Sequence, residues 1–228
     1  MSNMYDWIGE TWNPLAGKCP HDCSYCYVKK GRLKNSPKYH GPIRLDERAM
    51  SKNLGKDKVY FVCSCNDLFA DDVPGEFIRS ILEKCEQYRC NTYVFQTKNP
   101  FRMMDFEFPF KSVIGVTIET NRLIPTTDAP QPRERAYFFW KIPRREDIRY
   151  FLTIEPIMDF DLEKFVDWIE TLGPDFVNIG ADSKGCGLPE PSPQKVRDLI
   201  SQLEKFTEVR VKSNLKRIFA GWDRGHTG

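Results

Sequence analysis

Residues 59–96 read VYFVCSCNDLFADDVPGEFIRSILEKCEQYRCNTYVFQ. Val59–Cys65 is an apolar, β-rich run. Gly75–Tyr88 places Phe77, Ile78, Ile81, Leu82 and Cys85 on one helical face, and Thr92–Gln96 is apolar again. Strand, helix, strand is the unit from which parallel sheets are built. The alternation continues in the flanking sequence. Ser112–Ile118, Tyr150–Ile154, Phe176–Ile179 and Glu208–Lys212 read as further strands, apolar enough to be covered on both faces. Leu162–Leu172 reads as a helix closed by Gly173-Pro174. Ser192–Phe206 reads as one opened by Ser192 at the N-cap and Pro193 at the first helical position. The Pro-rich connection 121–149 has room for a short helix at 132–141.

Six or seven strands share 228 residues, whereas a closed eightfold barrel takes about 250. The expected fold is therefore α/β: a partial, open (β/α)6-type TIM-like barrel with mostly parallel strands, in one domain spanning 1–228. Chemistry in such folds sits at the carboxyl ends of the strands. The residues there are Ser64-Cys65-Asn66-Asp67, Gln96-Thr97-Lys98, Glu119-Thr120-Asn121, Glu155-Pro156, Asp182-Ser183 and Ser213-Asn214. They are mostly polar and carry both charge signs, which a bare scaffold does not need.

With 40% hydrophobic and 29% charged residues and a net charge of +2, the chain can bury a core, and its overall charge names no partner. Two stretches are basic and free of acids: 29–38, with Lys29, Lys30, Arg32, Lys34 and Lys38, and 210–217, with Arg210, Lys212, Lys216 and Arg217. Each is either a solvated face or a phosphate contact. No stretch approaches the roughly 18 apolar residues of a membrane span. The start, Met1–Trp7, lacks the basic-then-apolar pattern of an export signal. A cytoplasmic location without a membrane partner is expected. There, eight cysteines point to metal ligands or buried thiols rather than disulfides.

Three of the eight lie within the loop 17–27, GKCPHDCSYCY, as C-x-x-x-C-x-x-C: Cys19, Cys23 and Cys26. Three thiolates on one loop can hold three corners of an iron–sulfur cubane and leave the fourth iron open. A zinc site is the competing reading, with His21, Cys63 or Cys65 as the further ligand. Cysteines that cluster without a metal are a third. The aromatic Tyr25 before the last cysteine and Tyr27 after it favour the cubane, since rings shield an oxygen-sensitive centre and flank an adenine.

C-x-x-x-C-x-aromatic-C near the N-terminus resembles the signature of the radical S-adenosylmethionine (SAM) superfamily. A closer resemblance, to the phage-associated three-Cys-motif family, runs through Thr11-Trp12-Asn13-Pro14, Asp67-Leu68-Phe69, Asp72-Val73-Pro74, Gln96–Pro100, Gly115–Glu119, Thr153–Pro156 and Asn178–Ala181. The chain departs from that pattern in three places. The gap between its first two cysteines is the superfamily's three residues. Gly180-Ala181-Asp182-Ser183-Lys184-Gly185 replaces a Gly-Gly-Glu-Ser-Gly-like block. Cys65-Asn66-Asp67 stands where a Gly-Gly-Glu motif is usual.

The resemblance implies a 4Fe-4S cluster on Cys19, Cys23 and Cys26 that reductively cleaves SAM. The resulting 5′-deoxyadenosyl radical would take hydrogen from a substrate, and a flavodoxin- or ferredoxin-type protein would supply the electron. In that picture Tyr25 flanks the cofactor, Ser64, Asn66 and Asp67 accept from the SAM ammonium, and Lys98 meets its carboxylate. Glu119 and Asn121 bind ribose hydroxyls, with an ion pair between Glu119 and Arg122 as the alternative. Glu155, Asp182 and Lys212 face the substrate, and Cys186 is a candidate hydrogen-atom donor. The expected substrate is a nucleotide, modified base or nucleic acid. Peptide modification, a non-catalytic Cys-metal module that binds nucleic acid, and a barrel that binds a cluster without turnover are the alternatives.

Overall fold

The computed structural model describes residues 5–222. Met1–Met4, which open the segment read for an export signal, and 223–228, the end of the expected domain, lie outside the described residues. In chain order the elements are β1 (Glu10–Trp12), β2 (Leu15–Ala16), α1 (Tyr27–Lys30), β3 (Arg44–Leu45), α2 (Glu47–Met50), β4 (Val59–Val62), α3 (Gly75–Gln87), β5 (Thr92–Thr97), α4 (Pro100–Met103), β6 (Val113–Thr117), α5 (Pro132–Lys141), β7 (Arg149–Ile154), α6 (Leu162–Leu172), β8 (Phe176–Ile179), α7 (Pro193–Leu203), β9 (Glu208–Val211) and α8 (Lys216–Trp222). Seven strands form one parallel sheet in the order β1-β4-β5-β6-β7-β8-β9, while β2 and β3 pair antiparallel beside it. The sheet is open, with β1 and β9 at its edges. It is the partial barrel expected from the alternation of strands and helices, with β1 as a strand the sequence did not announce.

Strand alternation sorts the interior into two cores. On the helix side, Tyr60, Tyr93, Phe95, Ile114, Val116, Leu152, Ile154, Val177 and Ile179 pack against Ile78, Ile81 and Leu82 of α3, Phe139 of α5, Phe165 and Ile169 of α6, and Val196, Leu199 and Leu203 of α7. On the concave side, Phe61, Val94, Val113, Phe151 and Phe176 close around Tyr5 and Ile8. The N-terminal segment thus plugs the barrel. The Trp7 ring packs edge-on to Phe151 and Phe176, at 6.2 and 5.4 Å between centroids. Above this apolar floor the inward residues turn polar. The Tyr5 hydroxyl lies 2.6 Å from Gln96 Oε1 and 2.8 Å from Thr153 Oγ1, and Gln96 Nε2 donates to Thr117 Oγ1 at 2.8 Å.

The helix ends follow the local code. Ser192 Oγ accepts from the Lys195 amide at 3.2 Å. Gly173 ends α6 with φ at 54°, the left-handed region where a glycine costs least. Arg122, the alternative partner for Glu119, instead reaches Asp159 and Asp161 on the connection into α6. Cys63, expected inside its strand, stands one residue beyond β4 with φ at 57°. Its amide still bonds the Trp12 carbonyl at 2.8 Å. The left-handed turn there sends Ser64–Asp67 across the barrel mouth.

Candidate active site

The cysteine loop leaves β2 at Gly17, whose φ of 100° and close approach to Pro42, with the carbonyl oxygen 2.3 Å from any added Cβ, admit glycine alone. The Gly17 carbonyl accepts from Asn66 Nδ2 at 2.9 Å. His21, inside the loop and 5% exposed, places Nε2 2.9 Å from Asp67 Oδ2. The Ser24 amide bonds the Thr126 carbonyl at 2.9 Å. Tyr27 donates its hydroxyl to the Ser64 carbonyl at 2.5 Å. The loop is therefore tied down at the carboxyl end of β4 and to the connection that follows β6. Cys19, Cys23 and Cys26 are all free thiols. Burial, then the nearby Asp67 carboxylate, pushes the Cys19 thiol up to about 12, a state that binding to a metal as thiolate would reverse. Cys23 and Tyr25 are buried together with Ile124 and Met158, and Cys26, Cys186 and Leu188 pack against them.

Behind Tyr25 lies a buried charge group. The Tyr25 hydroxyl donates to Glu119 Oε1 at 2.6 Å, Arg135 Nη1 donates to Glu119 Oε2 at 2.8 Å, and Lys98 Nζ also bonds Glu119 Oε1. Lys98 Nζ lies 5.1 Å from the Tyr25 ring centroid. Glu119 and Arg135 are fully buried. Burial alone would raise the Glu119 carboxyl, but Arg135 and Lys98 outweigh it and bring the group down to about 2. The carboxylate is thus ionised and fully engaged by protein donors.

The remaining strand-end residues are paired as well. Asp67, 9% exposed, accepts from the Phe69 amide, Thr97 Oγ1 and the Lys98 amide at 3.0, 2.7 and 2.6 Å, besides its contact with His21. Ser64 Oγ bonds Asn13 Oδ1 at 3.1 Å. Asn121 is held to the backbone of Asp161, at 3.0 Å as donor and 2.9 Å as acceptor. Glu155 receives Lys212 Nζ at 2.6 Å and Asn214 Nδ2 at 3.0 Å. Gly180 makes room for it, since a Cβ there would lie 2.7 Å from Glu155 Oε1. Asp182 caps its own turn, accepting from the Lys184 amide at 2.8 Å and from the Cys186 amide, and its carbonyl takes Arg217 at 3.1 Å.

Two groups result: Cys19, Cys23, Tyr25, Cys26, Ser64, Asn66, Asp67, Lys98 and Glu119 on the cysteine-loop side, and Glu155 with Lys212 on the β7–β9 side. Asn121 lies on the connection from β6 to α5, held to the Asp161 backbone just before α6, and Asp182 lies in the turn after β8. The sequence reading missed Arg135, one of three cations in an aromatic-rich helix. It also missed the polar Tyr5–Gln96–Thr153 cluster above the apolar floor, whose members are far apart in the chain. Among the described residues, Asn66 Oδ1, Arg135 Nη2, Asn178 Nδ2 and Trp7 Nε1 are buried polar atoms without a partner. No three His, Cys, Asp or Glu side chains among the described residues are grouped as ligands of a single metal ion, and His21 is already committed to Asp67. Three free thiols on one loop, with Asn66 bonded to that loop at Gly17 and its Oδ1 unpartnered, fit a multi-iron cluster in which each thiolate would meet a different iron.

Residues 2–173 match the family described as "Protein of unknown function (DUF5131)". The chain belongs to that family. No curated protein matches this DUF5131 member. Among solved structures, a tyrosine-to-phenylalanine mutant of spore photoproduct lyase superposes with a TM-score of 0.59 at 12% identity, over 87% of this chain and 74% of that one. A double mutant of the same lyase, with bound AdoMet and dinucleoside spore photoproduct, gives 0.51 at 13%, over 86% and 61%. Streptococcus suis SuiB bound to precursor peptide SuiA gives 0.58 at 11%, over 95% and 52%. The DUF5131 chain spans about 61% of the AdoMet-bound lyase and about half of SuiB. These likenesses show a shared fold, the open parallel barrel. No helix among the described residues is long and apolar enough to cross a membrane.

Proposed function

We propose that this DUF5131 chain is a radical SAM enzyme, with 1–228 as one catalytic domain. The observation that carries the reading is the cysteine loop tied down at the carboxyl end of β4 and to the connection that follows β6, in a fold shared with an AdoMet-bound lyase. Cys19, Cys23 and Cys26 would hold a 4Fe-4S cluster. Bound there, the cluster supplies the electron that cleaves SAM to a 5′-deoxyadenosyl radical.

The chain's own part is to bind, orient and exclude. Asn66 Oδ1, buried and unpartnered, is the acceptor for an ammonium group, and the Ser64 carbonyl lies beside it on the same turn. Asp67 holds this turn and the Lys98 backbone in place. Lys98 keeps spare N–H donors for a carboxylate while anchored to Glu119. Tyr25, Ile124 and Met158 exclude water from the thiols. Glu119, saturated by protein donors, acts by positioning Tyr25 and Lys98 rather than by meeting a ribose. Asn121 remains the candidate for that contact. Glu155 and Lys212, paired at the mouth and partly exposed, face the substrate, with Asp182 shaping the adjoining loop.

A nucleotide, modified base or nucleic acid is the favoured substrate. The dinucleoside held by the lyase supports it, as do the basic stretches 29–38 and 210–217, which both border the Asp182–Gly187 turn. Cys186 in that turn feels the charge of Lys30, and Arg217 bonds Asp182. The precursor peptide on SuiB supports a peptide as the second reading. A flavodoxin- or ferredoxin-type donor and a cytoplasmic setting complete the proposal. The closer likeness to the phage-associated three-Cys-motif family rests on the sequence blocks alone. The test is an anaerobic reaction with SAM and dithionite, assayed for 5′-deoxyadenosine with and without nucleotides, oligonucleotides and peptides. Formation that a nucleotide stimulates supports the reading, and no formation under any condition overturns it.

A further inference from the structure

Two cations, Lys98 and Arg135, grip the single Glu119 carboxylate, so the group carries one net positive charge. Arg135 is fully buried and held in place by three acceptors. Its Nε donates to the Pro130 carbonyl at 2.5 Å, and its Nη1 to the Thr117 carbonyl at 3.0 Å and to Glu119. Nη2 has no partner. A buried guanidinium cannot lose its proton, so this charge is permanent. Tyr25, the residue between Ser24 and Cys26, adjoins this group and donates its hydroxyl to Glu119 at 2.6 Å. The charge thus stands directly behind the cysteine loop, with Glu119 and Arg135 closed to water and Lys98 17% exposed. Two buried carboxylates also stand near the loop: Asp67, paired with His21 on the Cys19 side, and Asp182, in the turn whose Cys186 packs beside Cys26.

We infer that Arg135, Glu119 and Lys98 are positioning residues that set the reduction potential of the centre held by the cysteine loop. The inference rests on the cluster reading above. An electron added at that centre is stabilised by the fixed net cation, and the protein's levers on such a potential are local charge, hydrogen bonding and burial. A unit charge about 10 Å away at an effective dielectric of about 20 changes the reduced-to-oxidised ratio roughly tenfold. For a one-electron couple that is about 59 mV.

The expected signs separate this from a purely structural role. Glu119→Gln removes a negative charge and keeps a polar side chain of the same shape. Arg135→Gln removes a positive one, and Tyr25→Phe changes no charge. The proteins are reconstituted anaerobically, counted for iron, and titrated without SAM while the reduced state is followed by electron paramagnetic resonance. At fixed applied potential, Glu119→Gln raises the reduced-to-oxidised ratio about tenfold and Arg135→Gln lowers it about tenfold, with Tyr25→Phe close to wild type. If Arg135→Gln takes up no cluster, Lys98→Gln removes the same charge from the more exposed side and must lower the ratio. Shifts of the same sign in the Glu119 and cation variants, or none beyond about threefold, overturn the inference while leaving the cluster reading intact. A wild-type chain that binds no iron overturns both.

Discussion

Asp67→Ala tests whether one buried carboxylate joins the cysteine loop to the barrel. Asp67 receives four donors: His21 from the loop, the Phe69 amide from its own turn, and Thr97 Oγ1 and the Lys98 amide from the end of β5. Hydrogen bonds to an ionised acceptor contribute about 1.5–3 kcal/mol each, and they do not add fully. Removing the acceptor strands two backbone amides and a hydroxyl in a site that is only 9% exposed. The net loss is about 4 kcal/mol, in the range for breaking a buried charged partnership. With an m-value of about 2.5 kcal/mol/M, the urea midpoint of the apo chain falls by roughly 1.6 M. Burial raises the Asp67 carboxyl, but His21 and the donors from Lys98 and Thr97 overcome this and hold it below its ordinary value. Its contribution is thus complete above the unfolded carboxyl value of about 3.9, and is lost as pH falls through the lower folded value. The difference between wild type and Asp67→Ala therefore persists from pH 7 to about pH 4 and closes only below it. A midpoint change under about 0.4 M at pH 7, equivalent to about 1 kcal/mol, refutes the assigned role of Asp67.

Gly180→Ala pushes a methyl group onto Glu155, whose Oε1 would lie 2.7 Å away. It should cost about 1–3 kcal/mol in chemical denaturation, with no change in iron uptake. Phe151→Ala opens the barrel floor beneath Tyr5, Trp7 and Phe176 and should cost about 3–5 kcal/mol by the same assay. Ser192→Ala removes the cap on the Lys195 amide and should lower stability by about 1 kcal/mol, read as a shift in the thermal midpoint.

The strand–helix rhythm was legible because the central strands β5–β8 are covered on both faces, and α3, α6 and α7 each bury one apolar face. Leu162–Leu172 and Phe176–Ile179 lie where the sequence placed them. The edge strand β1 escaped notice because Glu10-Thr11-Trp12 has no apolar run and is recognised only by its pairing with Tyr60–Val62. The cysteine loop stood out as plainly, since its three cysteines lie within eight residues of one another. The partners of the strand-end residues were not legible. Glu119 was open to an ion pair, but its cations are Arg135 and Lys98, not the neighbouring Arg122. That choice depends on α5 folding back over β6, a tertiary fact with no sequence period. Tyr5 is similar: its hydroxyl meets Gln96 and Thr153, 91 and 148 positions away.

The most direct test of the central claim is iron and sulfide analysis of anaerobically prepared protein, with Cys23→Ala and Cys85→Ala beside the wild type. Cys85 is a buried residue of the helix-side core, away from the loop. The account predicts about four irons and four sulfides per wild-type chain, the same for Cys85→Ala, and neither for Cys23→Ala. One zinc per chain and no sulfide, or a full iron complement in Cys23→Ala, contradicts it.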